Sequence, residues 1–155
     1  MNYDCAKLGE WGHKMGAVIR DSTGAVWWVA VNQNGGCVEP KYVEAKACKW
    51  AMEQALEHGV SSIIMEGDCQ SLTSKLKKRE CPNNELGLLI QNILHIASRF
   101  EFCSFNHVKR TENRVAHTMA HAEPFNSTIR VCWMKYQILS LVWLFMILVM
   151  RLFVN

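Results

Sequence analysis

The sequence predicts an α/β domain built on an open sheet, and three observations carry that reading. Residues 43–58 hold an apolar stripe at helical spacing (Ala47, Cys48, Ala51, Met52, Ala55, Leu56), with Lys46, Lys49, Glu53 and Glu57 mostly on the other side. Gly59 is placed to end that helix, and residues 60–65 follow with the unbroken Ile63-Ile64-Met65 of a strand buried on both faces. A second helix then opens near Gln70, so helix, strand and helix alternate as they do along an open α/β sheet.

The other elements follow in chain order. Residues 2–6 read as the end of a strand carrying Asp4, and residues 7–14, with Gly9 and Gly12, as a loop. The first strand thus looks cut short, as in a gene fragment or after a misplaced start. Residues 16–20 and 25–31 flank Asp21-Ser22-Thr23-Gly24, a turn with Asp at its start and Gly at its end, which makes a β-hairpin. Residues 32–40, with Gly35-Gly36, link the hairpin to the central helix. Past Gln70 a short helix runs into Lys75, Lys77, Lys78 and Arg79, which reads as a solvated helix end or as a phosphate-contacting patch. After Pro82-Asn83-Asn84, residues 85–98 are amphipathic through Leu86, Leu89, Ile90, Ile93, Leu94 and Ala97. Residues 100–108 alternate as a strand, and a last helix begins near Thr111-Glu112-Asn113 and turns Val115, Ala116, Met119 and Ala120 inward.

Composition narrows the function classes only a little. With 155 residues the chain makes one domain, and a formal net charge of +3 names no partner. Seven cysteines, odd in number and never spaced CxxC, point to reduced thiols in an intracellular protein, nuclear or cytoplasmic, rather than to a zinc cage or a disulfide framework. No signal peptide is expected ahead of polar Asn2 and acidic Asp4.

Two acids stand where burial alone would not put them. Glu44 lies one turn before Cys48 and begins the helix face that packs on the sheet; Asp68 falls just past the carboxyl end of the buried strand, where such sheets place their ligand crevice. Simpler readings stay open for each: a first-turn acid favoured by the helix dipole, and an N-cap of the next helix.

In order along the chain, GAVIRDSTG, VEAKACKWAMEQAL, IIMEGDCQSL and FNHVKRTENRVAHTMA resemble the type 1 RNase H fold, and within it the plant, retroelement-derived reverse-transcriptase-like domains. The resemblance spans about residues 2–122. It implies a mixed five-stranded sheet, a three-stranded antiparallel meander plus two parallel strands, flanked by helices, with residues 1–124 as the domain. It also implies that Asp4, Glu44 and Asp68 converge as ligands of magnesium, with manganese as the second choice, because clustered carboxylates need a cation and magnesium takes oxygen donors. Two such ions hydrolyse the RNA strand of an RNA/DNA hybrid in these relatives. His107 matches their mobile histidine, which assists proton transfer or product release, and Gln70 matches a residue at the minor groove of the hybrid. Lys75, Lys77, Lys78 and Arg79 then become backbone contacts, on a protein expected to be monomeric.

Several residues depart from the pattern. His117 stands where cleaving relatives hold an aspartate as fourth ligand; an imidazole suits manganese or zinc better than magnesium, or lines a pocket with no metal at all. Cys5 replaces a small glycine after the first aspartate, and Pro40 and Lys41 replace paired asparagines that grip the hybrid. These changes keep a second function open, an RNase H-like nucleic-acid-binding module without turnover. The extension 125–155 carries no charge from residue 136 to 150, and the hydrophobic stretch 136–154 reads as a C-terminal helix. Three origins stay open for it: a membrane anchor, a helix packed on the domain, or a misread gene end.

Overall fold

The structure, a computed structural model, describes residues 1–8, 12–35, 39–121 and 129–133. The chain forms β1 (Asn2–Leu8), β2 (Gly12–Arg20), β3 (Val26–Gly35), α1 (Pro40–Glu57), β4 (Ser62–Gly67), α2 (Gln70–Lys78), α3 (Glu85–Ala97), β5 (Phe102–His107), α4 (Arg114–His121) and β6 (Ile129–Trp133). The strands lie in the order β5-β4-β1-β2-β3-β6. The expected meander β1-β2-β3 is antiparallel, and β4 and β5 run parallel to β1. A sixth strand, past the 1–124 unit, pairs antiparallel with β3 from Trp28↔Trp133 to Asn32↔Ile129. The hydrophobic stretch 136–154 lies outside the described residues. Among the described residues no helix is long and apolar enough to cross a membrane.

The hairpin turn follows from its residues. Asp21 Oδ1 accepts from the backbone N–H groups of Thr23 and Ala25, at 2.8 and 3.0 Å, and Gly24 takes φ 86°. Two of the expected boundaries are corrected. Lys7, Leu8 and residues 12–14 are strand rather than loop, because the β1·β2 ladder runs on to Leu8↔Gly12. The link before α1 is shorter than expected, since β3 continues to Gly35. Backbone pairing across the ladder outweighs the weak local propensity of these polar and glycine residues.

Strand alternation divides the core. Tyr3, Ala17, Ile19 and Ala30 pack with α1 and α3 in the main cluster, whereas Val18 and Val29 pack with Ala116 of α4 on the opposite face. Ile63 and Met65 are buried but Ile64 is 44% exposed, so β4 is covered on one face and not on both. The reason is reach: α4 packs on β1, β2 and β3, short of β4.

A carboxylate and histidine site at the sheet's carboxyl edge

The pairing of β1 with β4 carries two acids toward the same place. Asn2 pairs with Glu66 across the parallel strands, and Asp4 and Asp68 each lie two residues further on. Asp4 pairs with Gly16, on the face that α4 covers, while its neighbours Tyr3 and Cys5 turn toward α1. Glu44 comes from α1 and meets Asp4 and Cys5, with one ligand atom from each lying within 4.8 Å of the others. Asp68 joins no such group among the described residues, yet its charge is felt at Asp4 and Glu44. The simpler readings of the two acids do not hold. No acid occupies the first turn of α1, and the N-cap of α2 is Cys69, with no side-chain cap.

These carboxyls are held in unfavourable surroundings. Asp4 is 2% exposed. Burial raises its pKa; the Cys5 N–H, donating to Oδ1 at 2.8 Å, and His117 pull it back, and Asp68 raises it again. Burial pushes the Glu44 carboxyl up to about 7, the Cys5 thiol offsets part of this, and the negative charges of Asp4 and Asp68 add to it. Glu44 Oε2 is buried with no hydrogen-bond partner. A buried oxygen of this kind lacks several kcal/mol of hydration unless a cation or donor reaches it, so the carboxyl side of the site fits a divalent ion that prefers oxygen. The Cys5 thiol is driven far above its ordinary range, first by burial and then by Glu44, Asp4 and Asp68.

The other half of the site belongs to α4. His117 Nδ1 donates to Asp4 Oδ2 at 2.7 Å, and Arg110 Nη2 lies 3.4 Å from His117 Nε2. His121, one turn on, sets its ring centroid 4.1 Å from that of His117. Burial lowers the pKa of His121, and the charge of His117 lowers it further. Two devices seat this helix. The side chain of buried Asn113 donates from Nδ2 to Tyr3 O at 2.9 Å, and Gly16 has no Cβ where one would come within 2.6 Å of Ala116 O and 2.7 Å of Ala120 N. At the far side, β5 pairs His107 with Gly67, and His107 Nε2 lies 3.2 Å from Asp68 O.

The family described as reverse transcriptase-like matches residues 2–123 of this chain. The chain belongs to the reverse transcriptase-like family.

The fold of this reverse transcriptase-like domain is that of type 1 RNase H. It is similar to RNase H1 from the halophilic archaeon Halobacterium salinarum NRC-1, with TM-score 0.71 and 23% identity over 77% of this chain and 92% of the other. The N-terminal RNase H domain of rv2228c from Mycobacterium tuberculosis aligns with TM-score 0.66 and 19% identity, over 77% and 87% of the two chains. LC11-RNase H1, isolated from compost and solved in complex with RNA/DNA hybrid, aligns with TM-score 0.68 and 18% identity, over 76% and 90%. No curated protein matches the chain.

Within the reverse transcriptase-like domain, Asp4 thus meets both Glu44 and His117, while Asp68 acts on Asp4 and Glu44 through its charge and His107 lies beside Asp68. Gln70 is exposed at the first position of α2. Lys75, Lys77 and Lys78 occupy the last turn of that helix, which ends about 12 Å from its start by helical rise, and Arg79 caps it at φ 56°. Four contributors were not anticipated from sequence: Arg110, Asn113, Gly16 and His121. For His121 the signal was present, since HTMAH sets two histidines four apart on one helix face.

Proposed function

We propose that this chain is a metal-dependent endoribonuclease that cleaves the RNA strand of RNA/DNA hybrids. The observation that carries the reading is the buried Glu44 Oε2, left without a partner beside Asp4 and within reach of the charge of Asp68. Asp4, Glu44 and Asp68 would hold the cation, magnesium first and manganese second. A divalent ion bound there supplies positive charge for activating a water and for stabilising the 3′ oxygen that leaves a phosphodiester. The hybrid-bound relative LC11-RNase H1, of the same fold, supports the choice of substrate.

The protein's own residues divide the remaining work. Asp4 is fixed by the Cys5 N–H and by His117, so its free lone pairs point into a preset site. His107 is exposed at the end of β5 and beside Asp68, where its ring can take a proton from solvent or give one up as product departs. Gln70, exposed at the start of α2 two residues past Asp68, would meet the minor groove of the hybrid, which is recognised by shape and 2′-hydroxyls. The basic end of α2 meets phosphates further along the duplex.

A second reading rests on a specific contact. His117 draws one Asp4 oxygen into a hydrogen bond, and Arg110 brings a positive charge to the place of the fourth acid. Both act against a second ion, and both favour a module that binds hybrid without turnover.

Asp68→Asn separates the two. If the nuclease reading holds, wild type cleaves a labelled hybrid with magnesium, and the variant loses cleavage while keeping hybrid affinity within a few fold. Cleavage that survives in Asp68→Asn contradicts the mechanism. Hybrid binding without cleavage in the wild type supports the module.

A further inference from the structure

The α4 side of the site does not match the ion that suits the carboxyl side. Asp4, His117 and His121 bring one carboxylate oxygen and two imidazole nitrogens within 4.8 Å of one another. Magnesium prefers an all-oxygen shell, whereas two histidines and a carboxylate form a set typical of zinc and its neighbours among the transition metals. We infer that Asp4, His117 and His121 form a zinc-selective site, with solvent supplying the fourth ligand. The site shares Asp4 with the proposed magnesium site, but it requires neither a hybrid nor Glu44 and Asp68.

The arrangement is built by the fold. HTMAH places His117 and His121 one helical turn apart on the same face, the spacing used when a single helix offers two ligands to zinc. Their ring centroids lie 4.1 Å apart. Gly16 allows α4 to lie close on β2, beside its strand partner Asp4, and Asn113 pins the start of the helix to Tyr3 O. The Asp4 carboxylate is buried while His121 is exposed, which leaves an open approach for the ion and a position for water.

The distances describe the site with a proton in the place of the ion. His117 Nδ1 and Asp4 Oδ2 share a proton at 2.7 Å. Two ligands about 2.0–2.1 Å from a tetrahedral zinc lie roughly 3.3 Å apart, so exchanging the proton for the ion opens this pair by about half an ångström, while the His121 nitrogen, within 4.8 Å of the other two ligand atoms, closes onto the ion. Two cations oppose binding. Arg110 lies over the His117 ring and Lys14 is felt at His121. Arg110 is exposed and can swing into solvent, while buried Lys14 keeps the affinity below that of a structural zinc cage.

The test uses the full chain and zinc chloride, competed against a chromogenic chelator, with cobalt(II) as a spectroscopic substitute. The expected result is one zinc per chain at micromolar affinity or tighter, undiminished by a large excess of magnesium and weakened tenfold or more in His121→Ala and in His121→Gln. His121 is exposed, so both variants keep the fold, which circular dichroism checks. Cobalt should show visible ligand-field bands without a thiolate charge-transfer band in the near ultraviolet. A thiolate band would mean that cysteines hold the ion, and would overturn the site. Zinc affinity unchanged in both His121 variants, or zinc readily displaced by magnesium, would overturn it equally. Hybrid cleavage is not measured, so failure of this site and failure of the nuclease reading remain distinguishable.

Discussion

Replacing Glu44 by glutamine should make the metal-free protein more stable at neutral and alkaline pH, the reverse of the usual effect of altering a buried polar residue. The folded protein holds the Glu44 carboxyl at about 7 against an ordinary value of 4.5. Ionising it therefore costs the folded state, and stability falls as pH rises from about 4.5 through about 7, then stays reduced. A shift of about 2.5 units at 1.36 kcal/mol each sets a ceiling of about 3 kcal/mol. Glutamine keeps the shape and never ionises, so it removes that cost. The assay is urea denaturation of wild type and Glu44→Gln in a chelator, at about pH 4.5 and about pH 8. Equal midpoints are expected at the lower pH, and a variant midpoint higher by on the order of 1 M at the upper. Magnesium should then close the gap by stabilising only the wild type. Midpoints equal at both pH values, or a variant weaker at both, would refute the reasoning that this carboxyl is strained by burial and awaits a cation.

The supports of α4 give two further expectations. Asn113→Ala removes the buried bond to Tyr3 O and should lower stability by roughly 1–3 kcal/mol in the same denaturation assay. Gly16→Ala drives a methyl toward Ala116 O and Ala120 N and should cost about 1–3 kcal/mol, with a shift of the His117 ring signals in NMR spectra. His107→Ala, at an exposed position, should leave the thermal midpoint unchanged and lower kcat on hybrid by about a hundredfold with little change in KM. Changing Lys75, Lys77, Lys78 and Arg79 together to alanine should flatten the salt dependence of hybrid binding, by roughly 0.7–0.9 in slope for each phosphate that these side chains neutralise.

The sequence made those features readable that depend on near neighbours. Apolar residues at helical spacing announced α1 and α3, and Asp21 and Gly24 announced the hairpin because the turn is made by their own side chain and backbone. What depends on distant partners was hidden. Residues 12–14 are polar or glycine and join β2 because β1 and β3 pair with them on either side, and Ile64 is exposed because α4 does not reach it. The site divides in the same way. Asp4, Glu44, Asp68, His107 and His117 could be named from motifs whose order matches a known family, and the fold sets Asp4 against Glu44 and His117, with His107 beside Asp68. Gly16 and Asn113 matter through contacts with α4 and β1, which no local pattern encodes. His121 was within reach of a reader who weighed the spacing of HTMAH as a ligand pair and not only as one face of a helix.

Whether three carboxylates at the sheet edge make this chain a metal-dependent nuclease, in spite of the histidine at the fourth position, is tested most directly by cleavage. An end-labelled RNA/DNA hybrid is incubated with the full chain and magnesium, manganese or a chelator, beside His117→Asp. Cleavage of the RNA strand is predicted with either ion, none with the chelator, and faster cleavage in His117→Asp with magnesium. A folded protein that binds hybrid yet leaves the RNA intact with both ions, in wild type and in His117→Asp alike, would contradict the proposed nuclease.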